Sequence, residues 1–380
     1  MSENSGKGSN ASAAQMSAKQ RQAKKTKKII LFSVEIVVIL VMLFVAWQVF
    51  RATKPGQGPT YTEIKPEKLE IPVEIQENET MKGYMNIALF GVDATTESLL
   101  YRGSRSDSIM IASINLDTGD IRLVSVYRDT FLNTDDNNKY QKANHAYSIG
   151  VIDGVDLKGG PEPAIKMLNK NLDLNITDFV TVGYRGLSEV IDGLGGIYID
   201  VDETELKHIN NYQIGISESL KCTYTPVTET GYQLLDGIQA SAYCRIRYGG
   251  GDDFKRASRQ REVIKGIEEQ AKKADLNALT KVFNTASKHI FTNLDSKDIL
   301  EMIKNIANYR IVEEDGFPQE NMRTVKNIGA RGSCVVPTDL ESNVIWLHQF
   351  LFEEQDYQVT DKVKEYSRKI AEETASYINE

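Results

Sequence analysis

The sequence predicts an α/β (α+β) protein: a single large domain with a central mixed sheet flanked by helices, after an N-terminal transmembrane helix. Three observations carry this. Residues 29–50 are a largely apolar run of about one bilayer thickness. Beyond them, short apolar strand-like runs alternate with helix-like stretches over roughly 270 residues, the pattern of one sheet-and-helix core. Two such runs, Asp107–Asn115 and Ile121–Val126, are separated only by the turn Asp117-Thr118-Gly119-Asp120. They read as adjacent central strands covered on both faces.

Taken in chain order, residues 1–28 carry seven Lys/Arg against Glu3 and are rich in Ser, Ala, Gln and Gly. They read as a disordered tail, placed in the cytoplasm by the basic flank of the span. The span, 29–50, lacks the short apolar core and small-residue cleavage site of a signal peptide. Its single charge, Glu35, is assigned no role. Residues 51–84, with Pro55, Pro59, Pro66 and Pro72, read as an extracellular stalk. A domain over 85–352 follows. Strands are expected at Met85–Asp93, Asp107–Asn115, Ile121–Val126, Phe179–Gly183, Gly195–Val201 and Ala242–Tyr248, with a short one opening at Val335. Helices are expected at Pro161–Lys170, Gly186–Asp192, Phe254–Lys273 (capped by Asp252 or Asp253), across 276–310, and at Ser342–Phe352. The charged tail 353–380 reads as a peripheral helix or a disordered segment.

Charge narrows the function. The first 28 residues hold +6 of a chain whose net charge is −8, so the remainder carries −14. Such a domain repels nucleic acid. Three cysteines, Cys222, Cys244 and Cys334, have no C-x-x-C spacing and indicate neither a zinc site nor a disulfide framework, although one bridge stays open. Cys244 reads as a small core residue in a buried strand. There is no G-x-S-x-G, H-E-x-x-H or Walker A motif.

Against that negative field stands Arg245 to Arg261, with five arginines in seventeen residues. Arg245 and Arg247 are two apart, on one side of the expected strand. Arg256 and Gln260 are four apart, on one helix face, with Arg259 beside them. A strand, a Gly-rich turn and a helix N-terminus converging in this way build a pocket for a multiply charged anion such as a pyrophosphate. Arg105 and the pair Arg128-Asp129 lie at other strand ends and would complete a ring of guanidinium groups. Asp93 ends one strand and Asp107 begins the next. They either hold a divalent ion against a phosphate or serve as cap and turn residues. His145 is either a base or a satisfied polar residue, and His208, His289 and His348 have no companion motif.

In order along the chain, Asn86–Asp93 (NIALFGVD), Ser104–Asp107 (SRSD), Ser125–Thr130 (SVYRDT), Lys142–Tyr147 (KANHAY), Val190–Ile197 (VIDGLGGI) and Tyr243–Gln260 (YCRIRYGGGDDFKRASRQ) resemble the LytR-CpsA-Psr family of cell-wall attachment proteins. The resemblance implies a Mg²⁺-dependent phosphotransferase outside the membrane, with Mn²⁺ as a substitute. Its donor would be an undecaprenyl-pyrophosphate-linked glycan and its acceptor peptidoglycan. It assigns the metal to Asp93 and Asp107, and the pyrophosphate to Arg105, Arg128, Arg245, Arg247 and Arg256 with Gln260. Arg259, Asp129, Asp253 and Lys142 adjoin them as candidates for substrate contact. Asp129 or Asp253 could deprotonate the acceptor, or no protein base is used. The family's apolar lipid pocket would draw on Ile109, Ile111, Leu187 and Ile191, each of which is equally a core residue. Tyr127 stands where the family usually has Pro, His145 where it often has something smaller, and no acidic residue stands near Gly183. None of these departures removes a charge from the site. A polyprenyl pyrophosphatase and a non-enzymatic membrane regulator that binds lipid-linked glycans are the competing readings.

Overall fold

The apolar runs assemble into a seven-stranded mixed sheet that places the ends of its central strands against one helix-lined cleft. The computed structural model describes residues 60–61, 63–94, 100, 104–135, 137–152, 160–247 and 252–378, all within one unit, Gln57–Glu380. The basic tail, the 29–50 span, the start of the stalk and the Gly249–Gly251 turn lie outside them. Among the described residues no helix is long and apolar enough to cross a membrane.

The strands are β1 (Thr60–Tyr61), β2 (Tyr84–Val92), β3 (Ser106–Asn115), β4 (Asp120–Val126), β5 (Phe131–Asn133), β6 (Tyr140–Lys142), β7 (Asp178–Val182), β8 (Ile197–Val201), β9 (Gly231–Leu235), β10 (Ile290–Thr292), β11 (Arg310–Phe317), β12 (Arg323–Asn327) and β13 (Ser333–Pro337). The main sheet has the order β1-β10-β7-β2-β3-β4-β11. β3 pairs antiparallel with β2 and β4, while β2 runs parallel to β7 and β4 to β11. Expectation and structure agree on β2 to β4. Their side chains alternate between two apolar layers. Ala88 and Phe90 enter the larger core, and Ile87 enters the smaller cluster with Ile114 and Leu294.

Beyond two one-turn helices before β2, the helices are α1 (Asn144–Ile152), α2 (Pro161–Leu172), α3 (Tyr184–Gly193), α4 (Glu203–Leu220), α5 (Gly237–Tyr243), α6 (Asp252–Lys273), α7 (Leu276–Ala286), α8 (Ser296–Lys304), α9 (Leu340–Phe352) and α10 (Asp361–Ile378). The hairpin β8–β9 and helices α3 to α6 enclose a second core around Ile197, Ile209, Tyr243 and Ile246. This layer overhangs the sheet and supplies one wall of the cleft.

The structure corrects several expectations. Ala242–Tyr248 is not a strand as far as it is described. A capping box at Asp236, whose side chain accepts from Gln239 N while Gln239 returns a bond to Asp236 N, starts α5 instead. Turn bonds from Arg245 N and Ile246 N then carry the chain past Cys244. Cys244 is buried, as expected, but at a helix C-terminus. β8 lies in its own hairpin rather than in the main sheet. Asp252 and Asp253 belong to the first turn of α6, not to its cap. The stretch 276–310 is interrupted by β10, whose β-branched residues pair with β7, and Asp295 then caps a fresh helix. The stalk is shorter than its prolines suggest, because Ile64, Leu69, Ile75 and Met81 are buried in the main core. The tail after Glu353 is the helix α10, and its Val363, Tyr366 and Ile370 enter that same core.

Gly237 fixes how α3 meets α5. A Cβ there would lie 2.2 Å from the Ser188 carbonyl oxygen, and Ser188 Oγ donates to Gly237 O at 3.0 Å. Backbone sits on both sides, so no side chain can swing away. Gly237→Ala is expected to destabilise the domain by about 1–3 kcal/mol, the ordinary range for overpacking, read as a lowered urea midpoint. An unchanged midpoint would mean that the two helices are not held this closely.

Candidate functional site

The cleft opens where β2 ends and β3 begins. Its other walls are the start of α3, the turn after α5 and the first turns of α6. Its volume is ≈ 370 Å³, which suits part of a lipid or a small ligand. Sequence periodicity explains its two-part character. On α6, Arg256, Gln260, Val263 and Ile264 fall at i, i+4, i+7 and i+8, and all four face the cleft. The first two are polar and the last two apolar. On β3, Asp107 lies at the mouth and Met110 further in, while Leu89, Val180, Val182 and Leu187 continue the apolar wall. The cleft therefore has a charged entrance and a greasy interior.

Of the residues expected to line the apolar part, only Leu187 does so. Ile109, Ile111 and Ile191 are buried core residues. Ile109 and Ile111 face the layer opposite Ser108 and Met110, since a single-residue step along a strand reverses the face. The lining residues Leu89, Met110, Val263 and Ile264 were not picked out, because nothing in a short apolar run says which face is empty.

At the mouth, acidic and basic groups interlock. Arg128 Nη1 donates to Asp107 Oδ1 at 2.6 Å. Asp253 gathers three guanidinium groups: Arg256 at 3.0 Å, Arg247 at 3.1 Å and Arg128 at 3.9 Å. Arg256 also reaches the Asp107 carbonyl oxygen at 3.4 Å. Arg245 lies 3.7 Å from Asp93, with its guanidinium 4.7 Å from the centre of the Tyr184 ring and 6.0 Å from that of Tyr212. Stacking of this kind holds a guanidinium in one plane without neutralising it. Gln260 Nε2 reaches the Cys244 carbonyl oxygen at 3.5 Å.

These groups perturb one another. Burial pushes the Arg256 pKa down, Arg128 and Arg247 push the same way, and Asp253 and Asp107 oppose them. Arginine stays protonated even so. Burial also works against the Arg128 charge, but Asp107, Asp129 and Asp253 outweigh it and hold its pKa above the usual value. Burial raises the Tyr184 hydroxyl, further than the neighbouring Arg245 lowers it. Four arginines thus face three carboxylates, and an entering polyanion meets cations that are already positioned and, at Arg128 and Arg256, largely desolvated.

Other expected site residues lie apart. Arg259 is buried and turns away from the cleft: its Nε donates to Glu205 at 2.7 Å and its Nη1 to the Ile246 carbonyl oxygen at 3.0 Å. It fastens α6 to the start of α4 and to the turn that carries Arg245. Asp129 and Lys142 pair at 3.4 Å in a layer behind Arg128, outside the cleft wall. Asp129 also sits 3.7 Å from Arg128 Nε and so steadies it. Arg105 is exposed just before β3 and is not part of the wall. With Lys139, it adds to the burial that lowers the His145 pKa. The three cysteines are free. Tyr184, Tyr212 and Glu205 were missed, and no motif marked them.

Among the described residues no group of three or more His, Cys, Asp or Glu could hold a metal ion. The carboxylates expected to hold a metal are two, Asp93 and Asp107, both partly exposed, while Asp253 is taken up by arginines. That set is too small to cage a metal. It is compatible with an ion such as Mg²⁺ that keeps several waters and completes its shell with phosphate oxygens.

The chain is similar to several known proteins. Residues 50–334 match the model of the LytR_cpsA_psr family. A polyisoprenyl-teichoic acid–peptidoglycan teichoic acid transferase TagU from Oceanobacillus iheyensis is 29% identical over 241 residues, 62% of this chain and 67% of that protein. The protein of the same name from Enterococcus faecalis is 27% identical over 292 residues, 75% of this chain and 84% of that one. The crystal structure of TagV from B. subtilis superposes with a TM-score of 0.55 at 22% identity. It covers 73% of this chain and 99% of its own, and shares the fold.

Proposed function

The chain belongs to the LytR_cpsA_psr family, and from that premise we propose that it transfers a glycopolymer from an undecaprenyl-pyrophosphate carrier to a peptidoglycan hydroxyl. The observation that carries this is the joined character of the cleft. Arg128, Arg245, Arg247 and Arg256 stand at the entrance of a cavity whose interior is Leu89, Met110, Val180, Val263 and Ile264. A pyrophosphate fits the first part and a polyprenyl chain the second. The relatives that carry the transferase name support the same reading.

In this reading the acceptor oxygen bonds to the phosphorus that bears the glycan. The bond from that phosphorus to the bridging oxygen breaks, polyprenyl phosphate leaves and the acceptor proton passes to solvent. Arg245 and Arg256 hold the diphosphate and stabilise the charge that gathers on the leaving phosphate, which dominates phosphoryl transfer. Asp93 and Asp107 would hold a Mg²⁺ ion, whose chemistry there is to neutralise phosphate oxygens. Neither candidate base suits proton removal. Asp253 is committed to three arginines and Asp129 lies behind Arg128. We assign them to positioning. The 29–50 segment would anchor the domain on the outer face of a cell membrane, within reach of both substrates.

A binding experiment separates the two halves of the cleft. A polyprenyl pyrophosphate should stabilise the protein thermally more than the matching polyprenyl monophosphate, and inorganic pyrophosphate alone should do least. Equal shifts for the two lipids would remove the head-group role given to the arginines.

A further inference from the structure

The turn Cys244–Arg247 carries two of the four arginines at the cleft entrance, yet it is neither helix nor strand. Main-chain bonds secure its start: Arg245 N donates to Ala242 O at 2.9 Å and Ile246 N to Tyr243 O at 3.3 Å. Side chains from other elements hold it further along. Arg259 of α6 donates to Ile246 O at 3.0 Å, and Gln260 to Cys244 O at 3.5 Å. The main chain of Arg247 is held from α4 instead. Tyr212 Oη accepts from Arg247 N at 3.2 Å and donates to Arg247 O at 3.4 Å. Gly249, Gly250 and Gly251, close behind in sequence, have no side chains to supply such a tie. The same tyrosine ring lies 6.0 Å from the Arg245 guanidinium. One side chain therefore meets both arginines of the turn.

The sequence of α4 explains why it reaches there. Glu205, Ile209, Tyr212 and Ile216 stand at i, i+4, i+7 and i+11, a single helical stripe. Ile209 and Ile216 are buried in the second core, and Tyr212 packs against it. Glu205 accepts from Arg259 at 2.7 Å. The stripe thus reaches Ile246 through Arg259 and Arg247 through Tyr212. Asn210 fixes the helix from another side by exchanging two bonds with Val227, both 2.9 Å.

We propose that Tyr212 is a positioning residue for the diphosphate site: its hydroxyl sets the main chain of Arg247, and its ring helps set the plane of Arg245. The proposal rests on the head-group role given above to the arginines. Tyr212 acts through them and needs no bond to the substrate. Its two hydrogen bonds lie at the surface, so their loss should change stability little. Their loss should instead disturb alignment, on which paired guanidinium–phosphate contacts depend. A pyrophosphate engages more of the arginines at once than a monophosphate does, so it should feel the disturbance more.

The test is calorimetric titration of the full-length chain in detergent with a polyprenyl pyrophosphate and with the matching monophosphate, paired with a thermal melt. Tyr212→Phe keeps the ring and removes the hydroxyl. It should melt as the wild type does and bind the pyrophosphate about 3–10-fold more weakly, the loss expected for one hydrogen bond. Its loss for the monophosphate should be smaller. Tyr212→Leu, which removes the ring as well, should lose more of the preference for pyrophosphate. Equal losses for the two lipids, undiminished pyrophosphate affinity in Tyr212→Phe, or a loss that merely tracks a lowered melting temperature would overturn the proposal. In each of those cases a wild type that prefers pyrophosphate keeps the role of the arginines intact. A wild type without that preference overturns the proposal and the head-group reading together.

Discussion

Arg245→Ala is expected to lower glycopolymer transfer about 10²–10³-fold while leaving the fold intact, the effect of removing one preorganised donor from a developing oxyanion. The fold should survive because this side chain is 30% exposed and makes only a loose ion pair, 3.7 Å from Asp93. Its other contacts are the faces of Tyr184 and Tyr212, which can close over the gap. Arg245→Lys should rescue little. A lysine keeps the charge but loses both the planar fork and the stacking that aims it. A steady-state assay paired with a thermal melt checks the prediction. Wild-type turnover, or inactivity that merely tracks unfolding, would remove Arg245 from the chemistry.

Arg259→Ala should act in the other way, through stability. The Arg259–Glu205 pair is buried, with side chains 7% and 9% exposed. Breaking one half of such a pair typically costs about 3–5 kcal/mol, because the remaining charge stays desolvated. Glu205 has a second duty: its Oε2 accepts from Asp202 N in the capping box of α4. Glu205→Ala should therefore cost at least as much as Arg259→Ala. Replacing both by apolar residues of similar size, Glu205→Leu with Arg259→Met, should recover most of the loss and leave mainly the cap deficit of about 1 kcal/mol. Chemical denaturation of the three variants decides the matter. If Arg259→Ala instead melts normally and loses activity, this arginine belongs with the substrate.

The contrast between Arg245 and Arg259 shows what the sequence could and could not convey. The cluster was visible because five arginines in an acidic chain are conspicuous. Which of them face a ligand depends on long-range packing. Arg259 is claimed by Glu205, 54 residues away, and Arg261 by Ser125, 136 residues away. The strands β2 to β4 were legible because their apolar runs are long and their turn is short. Ala242–Tyr248 misled because its short apolar stretch fits either a strand or a helix end, and the capping box six residues upstream carried the deciding signal. The partly buried stalk and the buried tail were obscured by their prolines and charges. Their few apolar residues, such as Ile64, Met81 and Ile370, suffice to dock them. Tyr127, at a position where the resembled family usually has Pro, packs on Phe254 at 4.6 Å under the Arg323 guanidinium. It steadies the first turn of α6, where Asp253 gathers the arginines.

The most direct measurement is to incubate the purified protein with an undecaprenyl-pyrophosphate-linked glycan, Mg²⁺ and peptidoglycan oligomers, and to follow the products by mass spectrometry. The arrangement of arginines and apolar wall predicts a phosphodiester joining the glycan to the oligomer, together with polyprenyl phosphate. Glycan phosphate released into solution with no joined product would contradict it.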